Sequence, residues 1–190
     1  MATHRIIPCE EWGAVPPTGS ITPAARPTKI IFHHTAGHHP ELDHQPTESL
    51  EEAMAYARAI QHDHMHRSPR FIDSGHNFLV ARSGHVLEGR HGSRAAINSG
   101  NMVVSAHCVG QNTQPGIEHE QIGNEPMTPA QREASLWLME KICRKAGVIP
   151  SEIHGHGEFN ATECPGTLKG QLNALKRELA ERLSAEAVSP

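Results

Sequence analysis

Lys29-Ile30-Ile31-Phe32-His33-His34-Thr35 reads as a strand that crosses the core and surfaces on two imidazoles. Its apolar residues are mostly β-branched, which predicts burial on both faces of a sheet. Far downstream, His156-Gly157-Glu158-Phe159-Asn160-Ala161-Thr162-Glu163-Cys164-Pro165-Gly166 spaces a histidine and a cysteine around one loop. Two imidazoles and a thiolate from distant segments make a donor set suited to zinc, and three protein ligands leave one tetrahedral corner for water. An open corner implies chemistry; a fourth ligand would imply scaffolding. Side chains of neighbouring strand residues point to opposite faces, so only one of His33 and His34 can face such a site, and His154 stands as a rival to His156. Spacing alone does not choose between them.

Outward from that strand, Pro16, Pro17, Gly19, Pro23 and Pro27 mark residues 14–28 as an irregular arm. A helix follows Pro46, with Leu50, Ala53, Met54, Ala57, Ile60 and His64 on one face and Ser49 with Glu52 as a capping box; it fails by Pro69. The runs from His76 and from His85 flank Ser83-Gly84 as a hairpin. Residues 89–116 are Gly/Ser/Asn-rich and read as loop, and Ile117–Ile122 as a strand. Thr128, Pro129 and Gln131 open a helix over 129–146 that Gly147 ends, with Gln131 completing a capping box. Ile149–His154 reads as a strand, and residues 168–186 as a helix with Leu168, Leu172, Leu175, Leu179 and Leu183 on one side. Strands interleave with helices, which predicts one α/β domain over 1–190: an N-terminal arm (1–28), a core (29–167) and a C-terminal helix (168–190).

The chain has 190 residues and a net charge of −4 with histidine neutral. Its basic residues are scattered, which argues against nucleic acid and against a membrane surface as partners. No signal peptide is read at the start, so action outside the cytoplasm would need another route of release. Cys9, Cys108, Cys143 and Cys164 form no CxxC pair, which rules out a zinc ribbon and gives little support to a disulfide framework. Sixteen histidines make chance pairs common. His62 and His66 share a helix face four apart, a spacing that binds metal, but without the glutamate of HExxH or an evident third ligand. His38-His39 reads as loop. There is no GxSxG elbow, Walker loop or GxGxxG.

Several motifs now line up: Glu11-Trp12-Gly13-Ala14; Ile30-Ile31-Phe32-His33-His34-Thr35-Ala36-Gly37; Ala59-Ile60-Gln61 with His64-Met65; and Gly75-His76-Asn77-Phe78-Leu79-Val80 with Gly84 and Glu88-Gly89-Arg90. They continue with Ala106-His107 through Gly110 and Asn112, then Ile122-Gly123-Asn124, and Gly155-His156 with Ala161-Thr162-Glu163-Cys164-Pro165-Gly166. In this order they resemble the zinc-dependent N-acetylmuramoyl-L-alanine amidases of the type 2 family, which includes peptidoglycan-recognition proteins and phage lysozyme-like amidases. The resemblance implies a mixed β-sheet flanked by helices, a groove above a Zn²⁺ ion, and His33, His156 and Cys164 as its ligands. It implies peptidoglycan as partner, a monomer, and hydrolysis of the amide between N-acetylmuramic acid and L-alanine. Members that only bind peptidoglycan generally lack the thiolate, so Cys164 favours an enzyme. The family's usual tyrosine is replaced by His76, expected to take or steer a water proton. Thr162 is expected to help hold the oxyanion, and His34, Thr35 and His107 to contact substrate. The expected role is a phage endolysin released by a holin, or an autolysin. The alternatives are a cytoplasmic muropeptide-recycling amidase and a peptidoglycan-binding module without catalysis.

Overall fold

The computed structural model describes residues 4–35, 46–121 and 124–186. Its centre is a six-stranded sheet built from β1 (Ile6–Ile7), β3 (Ile30–His34), β4 (Phe78–Val80), β5 (Val86–Glu88), β7 (Gly116–His119) and β8 (Ile153–Gly155). The order is β1-β5-β4-β7-β3-β8. β4, β7, β3 and β8 run parallel, β5 runs antiparallel to β4, and β1 runs parallel to β5. A separate antiparallel pair joins β2 (Pro23–Ala24) to β6 (Met102–Val103). This is the mixed-sheet α/β domain expected.

Three layers result. On one face lies α2 (Leu50–His66), packed with Trp12 of α1 (Cys9–Trp12) against Ile7, Leu79 and Leu87. On the other, α4 (Pro129–Ala146) and α5 (Lys169–Glu186) cover Phe32, Phe78, Val80 and Ile117. β3 is buried on both sides because both layers close over it: Ile30, Ile31 and Phe32 are wholly inaccessible. The leucine stripe of the last helix joins this core, with Leu175 and Leu179 fully buried.

Helix ends follow local chemistry. Ser49 accepts from Glu52 N while the Glu52 carboxylate accepts from Ser49 N, the expected capping box. Thr128 caps α4, and Gly147 closes it in the left-handed conformation at φ 77°. The box expected at Gln131 does not form. Its side chain turns inward and donates to the Val80 and Glu120 carbonyls, since a buried amide is better spent on buried acceptors than on an exposed helix end.

Other expectations need correcting. The N-terminal arm is not outside the sheet: Ile6–Ile7 forms its edge strand. Residues 89–116 are not all loop, since α3 (Ser93–Asn98) and β6 lie within them. Both elements are too short to leave a periodic signal. The strand expected at 149–154 starts only at Ile153, because Pro150–Glu152 forms a 3-10 turn. β7 ends at His119, and Ile122, Gly123, His38 and His39 lie outside the described residues. No described helix is long and apolar enough to cross a membrane.

Candidate metal centre and its surroundings

β3 and β8 run parallel, so His33 near the end of one and His156 directly after the other arrive at the same edge of the sheet. The loop from His156 then folds back. Gly157 N donates to Cys164 O at 2.8 Å, and Gly157 lies so near the Thr162 and Cys164 carbonyls that a side chain there would strike backbone at 2.8 and 3.1 Å. This closure brings Cys164 against β3. His33, His156 and Cys164 offer ligand atoms mutually within 4.8 Å.

One donor pair already stands at the distance zinc needs. Bonds of about 2.3 Å to sulfur and 2.0–2.1 Å to nitrogen, at a tetrahedral angle, separate two ligand atoms by about 3.5 Å. His33 Nδ1 and Cys164 Sγ lie 3.6 Å apart. The His34 backbone N–H donates to the same sulfur at 3.5 Å, a contact that favours thiolate. Burial opposes it and pushes the thiol up to about 12, so the sulfur needs a cation to ionise at neutral pH. His33 is held well below its ordinary value by burial and by the neighbouring imidazoles His76, His107 and His156, which keeps it neutral as a ligand must be.

Strand alternation separates His33 from His34, and hydrogen bonding engages His154. His34 falls on the opposite face, its ring against Gly166 and Gln121, and so does not join the cluster. His154 Nδ1 sits 2.9 Å from Glu158 Oε2 and Glu158 Oε1 accepts from Gly155 N, so these two side chains bind each other and the local backbone and do not add a fourth ligand. His62 and His66 stack at 4.1 Å, and no third ligand joins them among the described residues.

His76 stands edge-on to His33, ring centroids 4.5 Å apart. Its Nδ1 approaches Glu118 Oε2 at 2.9 Å, off the hydrogen-bonding axis. Glu118 of β7 was absent from the sequence reading. The sequence offers only an acid inside a short strand; its pairing with His33 appears in the sheet register. Burial pushes Glu118 up to about 7 and pulls His76 down to about 3. Burial thus disfavours the charged form of both groups. His64 completes a second group of potential ligands with His76 and Glu118. Its Nδ1 already accepts from Gly75 N at 2.9 Å, so a neutral His64 carries its hydrogen on Nε2 and has no lone pair left for a metal. The second group is therefore short of a third donor.

The remaining expected site residues lie nearby in other roles. Thr162 is exposed and its Oγ1 accepts from Cys164 N at 3.2 Å, bracing the ligand loop while its own hydrogen stays free to donate. The Thr35 hydroxyl is engaged with the Gln121 backbone and with Tyr56, so it is committed to the fold and not to a groove. His107 is buried behind His33, its Nδ1 2.8 Å from His33 Nε2, and does not line a groove. Cys9, Cys108 and Cys143 are free and buried.

Comparison with known proteins places the chain by family and fold. A family model described as N-acetylmuramoyl-L-alanine amidase matches residues 23–167. Peptidoglycan-recognition protein SC2 of Drosophila simulans is 30% identical over 167 residues, spanning 85% of this chain and 80% of the relative. The ectodomain complex of peptidoglycan recognition proteins LCa and LCx bound to tracheal cytotoxin superimposes with a TM-score of 0.69 at 27% identity, over 85% of this chain and 89% of that one. The amidase LysC from Clostridium intestinale has a TM-score of 0.66 at 20% identity, over 90% and 97% of the two chains, a likeness of fold.

Proposed function

The chain belongs to the N-acetylmuramoyl-L-alanine amidase family, and from that premise we propose that it is a zinc-dependent enzyme that cuts the amide between N-acetylmuramic acid and L-alanine in peptidoglycan. The observation that carries the reading is the three-donor cluster of His33, His156 and Cys164, with His33 Nδ1 and Cys164 Sγ 3.6 Å apart and no fourth protein ligand among the described residues. Zinc held there would lower the pKa of a water in its fourth position and polarise the scissile carbonyl.

The chain's own residues supply the proton handling. His76 keeps 13% of its side chain exposed while Nδ1 faces the more deeply buried Glu118. A neutral His76 accepts the proton of the attacking water and gives it to the departing amine, while Glu118 Oε2, 2.9 Å from Nδ1, faces the imidazolium that forms between the two steps. The free Thr162 hydroxyl hydrogen is available to the developing oxyanion. The substrate class follows from the family and from the tracheal cytotoxin held by the LCa–LCx relatives.

A binding module without turnover is the second reading, favoured by relatives that are recognition proteins. Digestion of defined peptidoglycan, with mass analysis of the fragments, separates the two. Release of stem peptides beginning with L-alanine, abolished by chelator and restored by zinc, is the expected outcome. His76→Ala and Glu118→Gln should each keep zinc and lower turnover by about two to four orders of magnitude. Intact glycopeptide after prolonged digestion with the zinc-loaded protein would leave only the binding role.

A further inference from the structure

A neutral imidazole has one N–H and one lone pair, so whatever meets its outer nitrogen decides which nitrogen can face a metal. For His33 the deciding atom is three steps away. Gln114 O can only accept, and it lies 2.9 Å from His107 Nε2, so that nitrogen carries the hydrogen. His107 Nδ1 is then an acceptor, and His33 Nε2, 2.8 Å away, must donate to it. The lone pair of His33 is left on Nδ1, the nitrogen facing Cys164. The His107 ring is wedged against the bare backbone of Gly116, where a Cβ would sit 2.5 Å from its carbons, so it cannot turn over easily.

His156 is governed by an amide whose orientation is fixed in the same way. Asn160 Nδ2 faces two carbonyls, Phe159 O at 2.9 Å and Val109 O at 3.3 Å, and only an NH₂ can satisfy both. Oδ1 therefore faces His156 Nε2 at 3.1 Å and accepts its hydrogen. The lone pair of His156 is again on Nδ1.

We propose that His107 and Asn160 are positioning residues that lock His33 and His156 as Nε2–H tautomers and present Nδ1 of each ring to the metal. This rests on the zinc reading above, and the two are tested apart. Long-range ¹H–¹⁵N spectra of protein freed of metal by chelation read each ring's tautomer directly. Nε2–H is expected on His33, His107 and His156; Nδ1–H on either ligand ring overturns the proposal. Zinc affinity, measured by chelator competition, should fall about 10- to 100-fold in His107→Phe and in Asn160→Leu. It should recover in Asn160→Asp, which keeps an acceptor oxygen for His156. Native-like affinity in Asn160→Leu counts against it. If His107→Phe does not fold, the native spectra and the Asn160 pair still decide. Native protein that takes up no zinc overturns the zinc reading, and the ring spectra then judge the tautomers by themselves.

Discussion

Gly116 and His107 are matched at the level of single atoms. Any side chain at 116 would overlap the imidazole, with a Cβ 2.5 Å from both Cγ and Cδ2. Gly116→Ala must therefore move His107 or β7, and overpacking of this kind costs about 1–3 kcal/mol. Urea denaturation of the metal-free protein checks it; a midpoint equal to native would mean the ring relaxes freely. At this scale the sequence was readable where a residue's chemistry is unusual and opaque where its role depends on a partner. Cys164 stands out through the Ala161–Gly166 motif around it, since spacing from a histidine alone says little in a chain with sixteen of them. Glu118 did not, since an acid in a short polar-looking run is normally solvated. Its meaning comes from burial and from its register beside His33. His107 carried the right chemistry but the wrong neighbour, because a motif does not reveal which way a ring faces.

Between elements, buried polar groups hold the segments on either side of His76 in place. Asp73 is wholly buried and accepts from Gln61 of α2, from Ser74 N, and from His91 through both backbone and Nδ1. The Asp73 hydrogen bond raises the pKa of His91 against partial desolvation, and Glu88 and Glu10 act in the same direction. Asp73 itself ends lower than usual, because burial, which raises it, is outweighed by hydrogen bonds from His91, Gln61 and Ser74. The signs then set the window. A raised histidine contributes stability that is fully present below its unfolded value of about 6.5 and is lost as pH rises through the folded value. A depressed aspartate contributes above about 3.9 and loses its share as pH falls through the folded value. His91→Ala should therefore cost more stability at pH 5.5 than at pH 8.5, measured by denaturant midpoints; an equal loss at both would show that the contact acts through shape alone. Long periodic helices such as α4 were legible to the residue, because caps and stripes are local. α3 and β6 were not, because six residues of helix and two of strand carry too little periodic signal to be separated from a polar loop.

For the molecule as a whole, the proposed ligands join segments that the sheet alone holds only at one edge. His33 belongs to β3, His156 follows β8, and Cys164 leads through Pro165 into the turn before α5. A cation bound by all three would tie the central sheet to the C-terminal helix, whose Leu175 and Leu179 are already sunk in the core. Binding to the folded state alone stabilises it by about 2.7 kcal/mol when free metal is 100-fold above its Kd. Zinc should therefore raise the thermal midpoint of the native protein in a concentration-dependent way, and chelator should reverse it. Cys164→Ser lacks the thiolate that completes the donor set, so its midpoint should not respond over the same zinc range. His76→Ala, which removes only a proton-handling group, should respond like native. A Cys164→Ser variant that gains as much as native would place the stabilising metal elsewhere, and with it the premise that sulfur closes the site.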